Sequence, residues 1–199
     1  MPRSTPTPPS ALADRAADQL AFIRATMVRA GTFTAVSGAG MILSGVIGTA
    51  AALLTPLAHG PEQRLALWLV AAGITIPASL IAVARKAARS GQSLNAGPAR
   101  TFTLALAPAL VVGAMLTLAI VRAGAWDLLP GAWLCCYGAA VVSGGAFSVR
   151  AVPVLGTVLV TLGALALFLP SATHVWLLGL GFGLTHLVFG FFIVRYHGG

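Results

Sequence analysis

Charge is what this chain has least of. Only 8% of its 199 residues are Asp, Glu, Lys or Arg, and four of those are acidic. A soluble domain carries about a quarter charged residues, so this composition cannot clothe a water-facing surface. No Asp or Glu falls within any long apolar stretch, which leaves a carboxylate relay for ion-coupled transport without its groups. A Ser/His/Asp set, a His-Glu-x-x-His helix, a phosphate-binding P-loop and a Gly-x-Gly-x-x-Gly fingerprint are all missing. Cysteine is scarce too. Cys135 and Cys136 are neighbours, about 100° apart on a helix, and no Cys/His metal spacing surrounds them. No catalytic residue, metal or cofactor is expected.

What is present is apolar. Hydrophobic residues make up 58% of the chain, mean hydropathy is +0.93, and runs of eighteen or more recur. These features indicate an all-α integral membrane protein. Six spans are expected: Thr32–Leu54, Leu65–Ala84, Phe102–Val121, Leu128–Val149, Val152–Leu169 and His174–Val194. Residues 1–10 read as a Pro-, Ser- and Thr-rich disordered tail, and no signal peptide is expected. Ala11–Arg29 reads as an amphipathic helix capped by Ser10. Leu12, Ala16, Leu20, Ile23 and Met27 lie on one face of it, Asp14, Asp18 and Arg29 on the other, and Phe22 breaks the pattern. The helix can lie on the cytoplasmic membrane surface or pack on the protein's own inner face.

The frame Trp-Leu-x-x-x-Gly occurs three times: Trp68-Leu69 to Gly73, Trp133-Leu134 to Gly138, and Trp176-Leu177 to Gly181. Each copy leads to an arginine, Arg85, Arg150 or Arg195, after 17, 17 and 19 residues. At 1.5 Å per residue that is about 26–29 Å, close to one hydrocarbon thickness. The frame therefore predicts three parallel two-helix repeats, about 31–86, 101–150 and 151–196. Each has a tryptophan anchor at one interface and an arginine anchor at the other. Ten basic residues, Arg3, Arg15, Arg24, Arg29, Arg85, Lys86, Arg89, Arg100, Arg150 and Arg195, fall on one side of the spans, and only Arg64 and Arg122 on the other. The positive-inside rule then puts both termini in the cytoplasm. Trp68, Trp126, Trp133 and Trp176 all fall on the opposite side. The net charge of +8 is accounted for by orientation and does not call for nucleic acid.

The hairpin texture has a known likeness. Gly40-Met-Ile-Leu-Ser-Gly45 through Leu54-Thr-Pro56 to Trp68 and Arg85 is echoed by Gly156-Thr-Val-Leu-Val-Thr-Leu-Gly163, Pro170, Trp176 and Arg195. This resembles the short-repeat bacterial membrane proteins typified by the acid-resistance family HdeD, which implies three tandem two-helix repeats. A second likeness rests on the segment from Ala17 through Phe22-Ile23-Arg24 to Met27, on Phe33-Thr34-Ala35-Val36, and on Gly144-Gly145-Ala146-Phe147-Ser148-Val149-Arg150. It is to a set of uncharacterised bacterial membrane proteins, some of them encoded beside winged-helix regulators. Neither likeness implies a catalytic residue.

His186 is the candidate for chemistry, because it alone of the Asp, Glu, His, Lys and Arg residues lies deep in a span. Its readings are a haem or metal ligand, a proton relay, a polar group on a solute path, or a neutral ring bonded to a nearby Ser, Thr or carbonyl. His59, His174 and His197 lie at span ends, so a haem held by two histidines of one chain lacks a partner. Gly179, Gly183, His186 and Gly190 share one face of an ideal helix. Gly40, Ser44 and Gly48, and Ala140 with Gly144, form further small-residue ladders, which serve packing within the chain or between copies. Pro77, Pro108 and Pro153 are expected as kinks. Cys135, Cys136 and Tyr137 form a patch read either as small apolar filling or as a redox or ligand site. The leading functional expectation is a non-catalytic inner-membrane accessory, stress-response or interaction protein. A passive channel or carrier for a small neutral solute and a haem-binding membrane redox subunit are the alternatives. The expected partners are the lipid bilayer and another membrane protein or a second copy.

Overall fold

The structure is a computed structural model, and it describes residues 9–30, 33–91, 93–95 and 97–197. It divides into two units, Met1–Gly31 and Thr32–Gly199. In the first, α1 spans Pro9–Ala30. Ser10, the expected cap, lies within the helix as described. Leu20, Phe22 and Ile23 are exposed. Residues 1–8 of the expected tail lie outside the described residues.

The second unit is all helical: α2 (Gly38–Leu54), α3 (Pro61–Arg89), α4 (Gly97–Arg122), α5 (Leu129–Gly145), α6 (Ala151–Phe168), α7 (His174–Leu178) and α8 (His186–His197). A wide turn with i→i+5 bonding, Gly179–Thr185, joins α7 to α8 into one rod. Counting that rod as one, six helices among the described residues are long and apolar enough to cross a membrane. The starts follow from local chemistry. Pro61, which has no N–H to leave unpaired, opens α3 after Gly60 at φ 96°, and Glu62 sits in the first turn with Lys86 and Arg89 in the last. Both charge placements suit the helix dipole.

The first expected span is shortened. Residues 33–37 are not helical, and α2 starts only at Gly38, where the Ser37 hydroxyl accepts from the Gly40 N–H at 3.2 Å. The preceding residues form an extended strap. Its Phe33 N–H donates to the Phe147 carbonyl (2.8 Å), and the Ser148 hydroxyl donates to the Phe33 carbonyl (2.7 Å). The Lys86 ammonium donates to the Val36 carbonyl at 3.1 Å. Phe33 and Ala35 are buried with Ala87 of α3 and Ala99 of α4. The strap thus ties the arginine-bearing ends of α3 and α4 together.

Two helix pairs hold the bundle. On α5, Gly131, Gly138 and Gly145 recur every seventh residue, as do Gly156 and Gly163 on α6. Seven residues are close to two full turns, so each set makes one stripe. A β-carbon added at Gly138 would stand 2.7 Å from the Val160 nitrogen, and one at Gly163 would stand 2.6 Å from the Cys135 nitrogen. The backbones are that close. The α2–α8 pair repeats the arrangement. Gly38 and Gly45 face Gly190 and Gly183, with clearances of 2.6–2.9 Å to the opposing backbone. In both pairs only hydrogen fits, and the gain is dispersion contact between backbones.

Candidate functional site

The other flank is built differently. α3 packs on α2, and α4 packs on α5, but α3 and α4 make no extensive contact with each other above the strap. Between them lies a cavity of about 510 Å³, within the range of ligand pockets. Its walls are the inner faces of α3 and α4, and its floor holds Tyr137, Phe182 and His186. Leu69, Ile76, Leu80 and Leu110 line it and are also exposed. It therefore opens sideways, between the two outer helices.

His186 is buried at 3% exposure. Its Nδ1 lies 2.9 Å from the Gly181 carbonyl, which can only accept, so Nδ1 carries the hydrogen. In the neutral ring Nε2 is then the acceptor for the Tyr137 hydroxyl, 3.1 Å away. The wide turn makes this possible. It frees carbonyls along Gly179–Thr185, and both His186 and Thr185 reach back five residues to bond one. Tyr137, Phe182 and His186 form a ring cluster with centroid distances of 5.5–6.1 Å.

The turn also overrides the ideal-helix face. Gly183 and Gly190 meet α2 at Thr49 and Ile42, and Gly179 meets the Ala52 side chain. His186 points away from that seam, to Tyr137 of α5. Of the other small residues, Gly40 faces Ala82 and Ser79 of α3, and Gly48 abuts the Phe182 backbone. The Ser44 hydroxyl bonds the Ser79 hydroxyl at 3.1 Å. Ser44, Gly48, Trp68, Trp133 and His186 all line the cavity.

The tryptophans do not behave alike. The Trp68 indole N–H donates to the Thr55 hydroxyl (3.0 Å), and that of Trp133 donates to the Thr117 hydroxyl (2.8 Å). The Trp133 indole is thereby fixed to α4, and that of Trp68 to the turn that follows α2. Trp176 is 70% exposed. Its helix has two more residues before the arginine, which coincide with the wide turn. Counted back from the arginines, the glycines at twelve residues are Gly73, Gly138 and Gly183. Counted from the arginine, the third copy therefore aligns through Gly183, not through Gly181 of the Trp-Leu-x-x-x-Gly frame. Arg85, Arg150 and Arg195 are exposed and take no part in the cavity.

The polar groups in the cavity wall largely satisfy one another. Besides the pairs above, the hydroxyls of Ser44 and Thr117 each donate to the carbonyl four residues back. No Asp, Glu, Lys or Arg lines the cavity. Cys136 lies in the wall, Cys135 turns to the Val160 carbonyl at 3.8 Å, and both thiols are free. Among the described residues no three His, Cys, Asp or Glu side chains come together as a metal site. For His186 to bind iron it would have to release Tyr137. Tyr137, placed only in the cysteine patch on sequence grounds, is the residue that completes the site. The signal was available: it is the only tyrosine inside a span, and buried polar groups in a charge-free bundle must find one another.

Comparison with protein-family models, with curated proteins and with solved structures returns no match.

Proposed function

We propose that the chain is a non-catalytic, multi-pass protein of the bacterial inner membrane that takes a lipid-soluble molecule into the cavity sideways from the bilayer. Both termini lie in the cytoplasm in this reading, supported by the ten-to-two distribution of basic residues. The six spans form three two-helix repeats in a ring, in keeping with the likeness to the HdeD-type proteins. Two of the three seams between repeats, α5–α6 and α8–α2, are closed by glycines. The third, α3–α4, is the entrance.

One observation carries the choice of ligand. The cavity opens sideways between α3 and α4, a face turned to the hydrocarbon layer in this reading, yet its wall offers few unsatisfied hydrogen-bonding groups. A polar solute entering it would give up water for little in return. A hydrocarbon exchanges one apolar surface for another and gains close contact with a preformed wall. The channel for neutral polar solutes is the weaker reading on that ground, and an accessory role becomes one of sensing or handing on a membrane-soluble compound.

Trp68 and Trp133 line the cavity, so their fluorescence reports its occupancy. In a variant with Trp126→Phe and Trp176→Phe, brominated palmitic acid in the vesicle membrane should quench the two remaining indoles. Ala114→Phe, which puts a ring into the exposed cavity wall, should reduce that quenching at least twofold. Equal quenching with and without the added ring would sink the proposal.

A further inference from the structure

A second cavity, about 500 Å³, lies at the tryptophan-bearing end of the bundle. Trp68 and Trp133 belong to the walls of both cavities. Their indoles are held by Thr55 and Thr117, so they form a fixed partition between two compartments. The compartments differ in chemistry. The inner one has no charged side chain in its wall. The outer one has Arg64 and Asp127, which are both exposed, and His174. Arg64 and Asp127 bring one charge of each sign.

Shape adds a second constraint. On α3 the inner compartment runs from Trp68 to Val83, fifteen residues or about 22 Å at 1.5 Å per residue. A volume of about 510 Å³ drawn out over such a length leaves the width of one hydrocarbon chain. An occupant that fills both compartments is long, apolar and unbranched for most of its length. It carries a polar group at the end near Trp68 and Trp133.

We propose that the two cavities are halves of one site, and that its ligand is a single-chain amphiphile with a zwitterionic head. Resting on the lateral-entry reading above, the chain lies between α3 and α4 against Phe182 and Tyr137, and the head sits beyond the partition. There an anionic group meets the Arg64 guanidinium and a cationic group meets the Asp127 carboxylate. A head with a single negative charge leaves Asp127 facing a like charge, and a headless alkane leaves the outer compartment unused. The open seam admits such a molecule without drawing its head through the apolar layer, because the head stays at the depth of the interface throughout.

The test uses the full chain with Trp126→Phe and Trp176→Phe, in vesicles of phosphatidylglycerol so that no zwitterion comes from the bulk lipid. Three brominated probes are titrated: a palmitoyl lysophosphatidylcholine, palmitic acid and hexadecane. The lysophosphatidylcholine should quench Trp68 and Trp133 at the lowest concentration. Arg64→Ala and Asp127→Ala should each raise its half-saturation about three- to fivefold, the loss of one solvent-screened ion contact with the phosphate or with the quaternary ammonium, and leave hexadecane unaffected. Equal half-saturation for the three probes, or no effect of either substitution, overturns the zwitterionic assignment and leaves the lateral-entry reading standing. Quenching by every probe that is indifferent to Ala114→Phe removes the cavity as the site, and both proposals fall together.

Discussion

The α5–α6 seam and the α3–α4 flank are made from the same residue classes and do opposite things. On α5, Gly138 and Gly145 lie twelve and five residues before Arg150, and both press on the backbone of α6. On α3 the same positions before Arg85 are Gly73 and Leu80. Gly73 has nothing within 4 Å of where a β-carbon would stand, and Leu80 is 64% exposed. Pro77 also withholds the N–H that would bond the Gly73 carbonyl. The contrast teaches that apolar length decides whether a helix lies in the bundle. Small residues at two consecutive stripe positions decide whether it closes on its neighbour.

The sharpest way to break the comparison is to add the same atoms on both sides. Gly138→Val should destabilise by roughly 3 kcal/mol or more, because the new side chain meets backbone that cannot step aside. Gly73→Val meets open space and should change stability by about 0.5 kcal/mol or less. Thermal unfolding of the two variants in one detergent reads both values. Comparable losses would mean that α3 closes on a neighbour in solution.

Tyr137→Phe is the next largest effect. It strands Nε2 of a buried histidine and should cost about 1–3 kcal/mol. With His186→Phe added the second loss should be much smaller than His186→Phe alone, since the partners share one bond. Additive losses would count against the pairing.

The smallest effect separates the tryptophans. Trp68→Phe removes the bond to Thr55 and should cost about 1 kcal/mol, whereas Trp176→Phe should fall within about 0.5 kcal/mol of the parent. Indole resonances assigned by the two substitutions check the same point, with only Trp68 protected from exchange.

Much of this was legible in the sequence. Hydropathy located all six long helices. Hydropathy could not see that residues 33–37 are extended, because Phe33, Ala35 and Val36 are as apolar as any helix. What fixes the strap is distant, in Ser148 and Lys86. Nor could a 3.6-residue period show a turn that closes at five residues, and with it His186 left the glycine face. The open seam was written in the sequence as Leu80, where the other copies have Gly145 and Gly190, but only the close contacts of those two glycines give the difference a meaning.

The pairing of α2 with α8 has a consequence for biogenesis. The first long helix of the bundle finds its glycine partner only in the last one. Until synthesis reaches Gly190, the stripe of Gly38 and Gly45 lacks the backbone it packs against. The chain's most sequence-distant contact is made at the very end, which makes ring completion a late event separable from insertion. A chain stopped after Phe168 keeps the first five long helices and should still be recognised by quality-control proteases as unfinished.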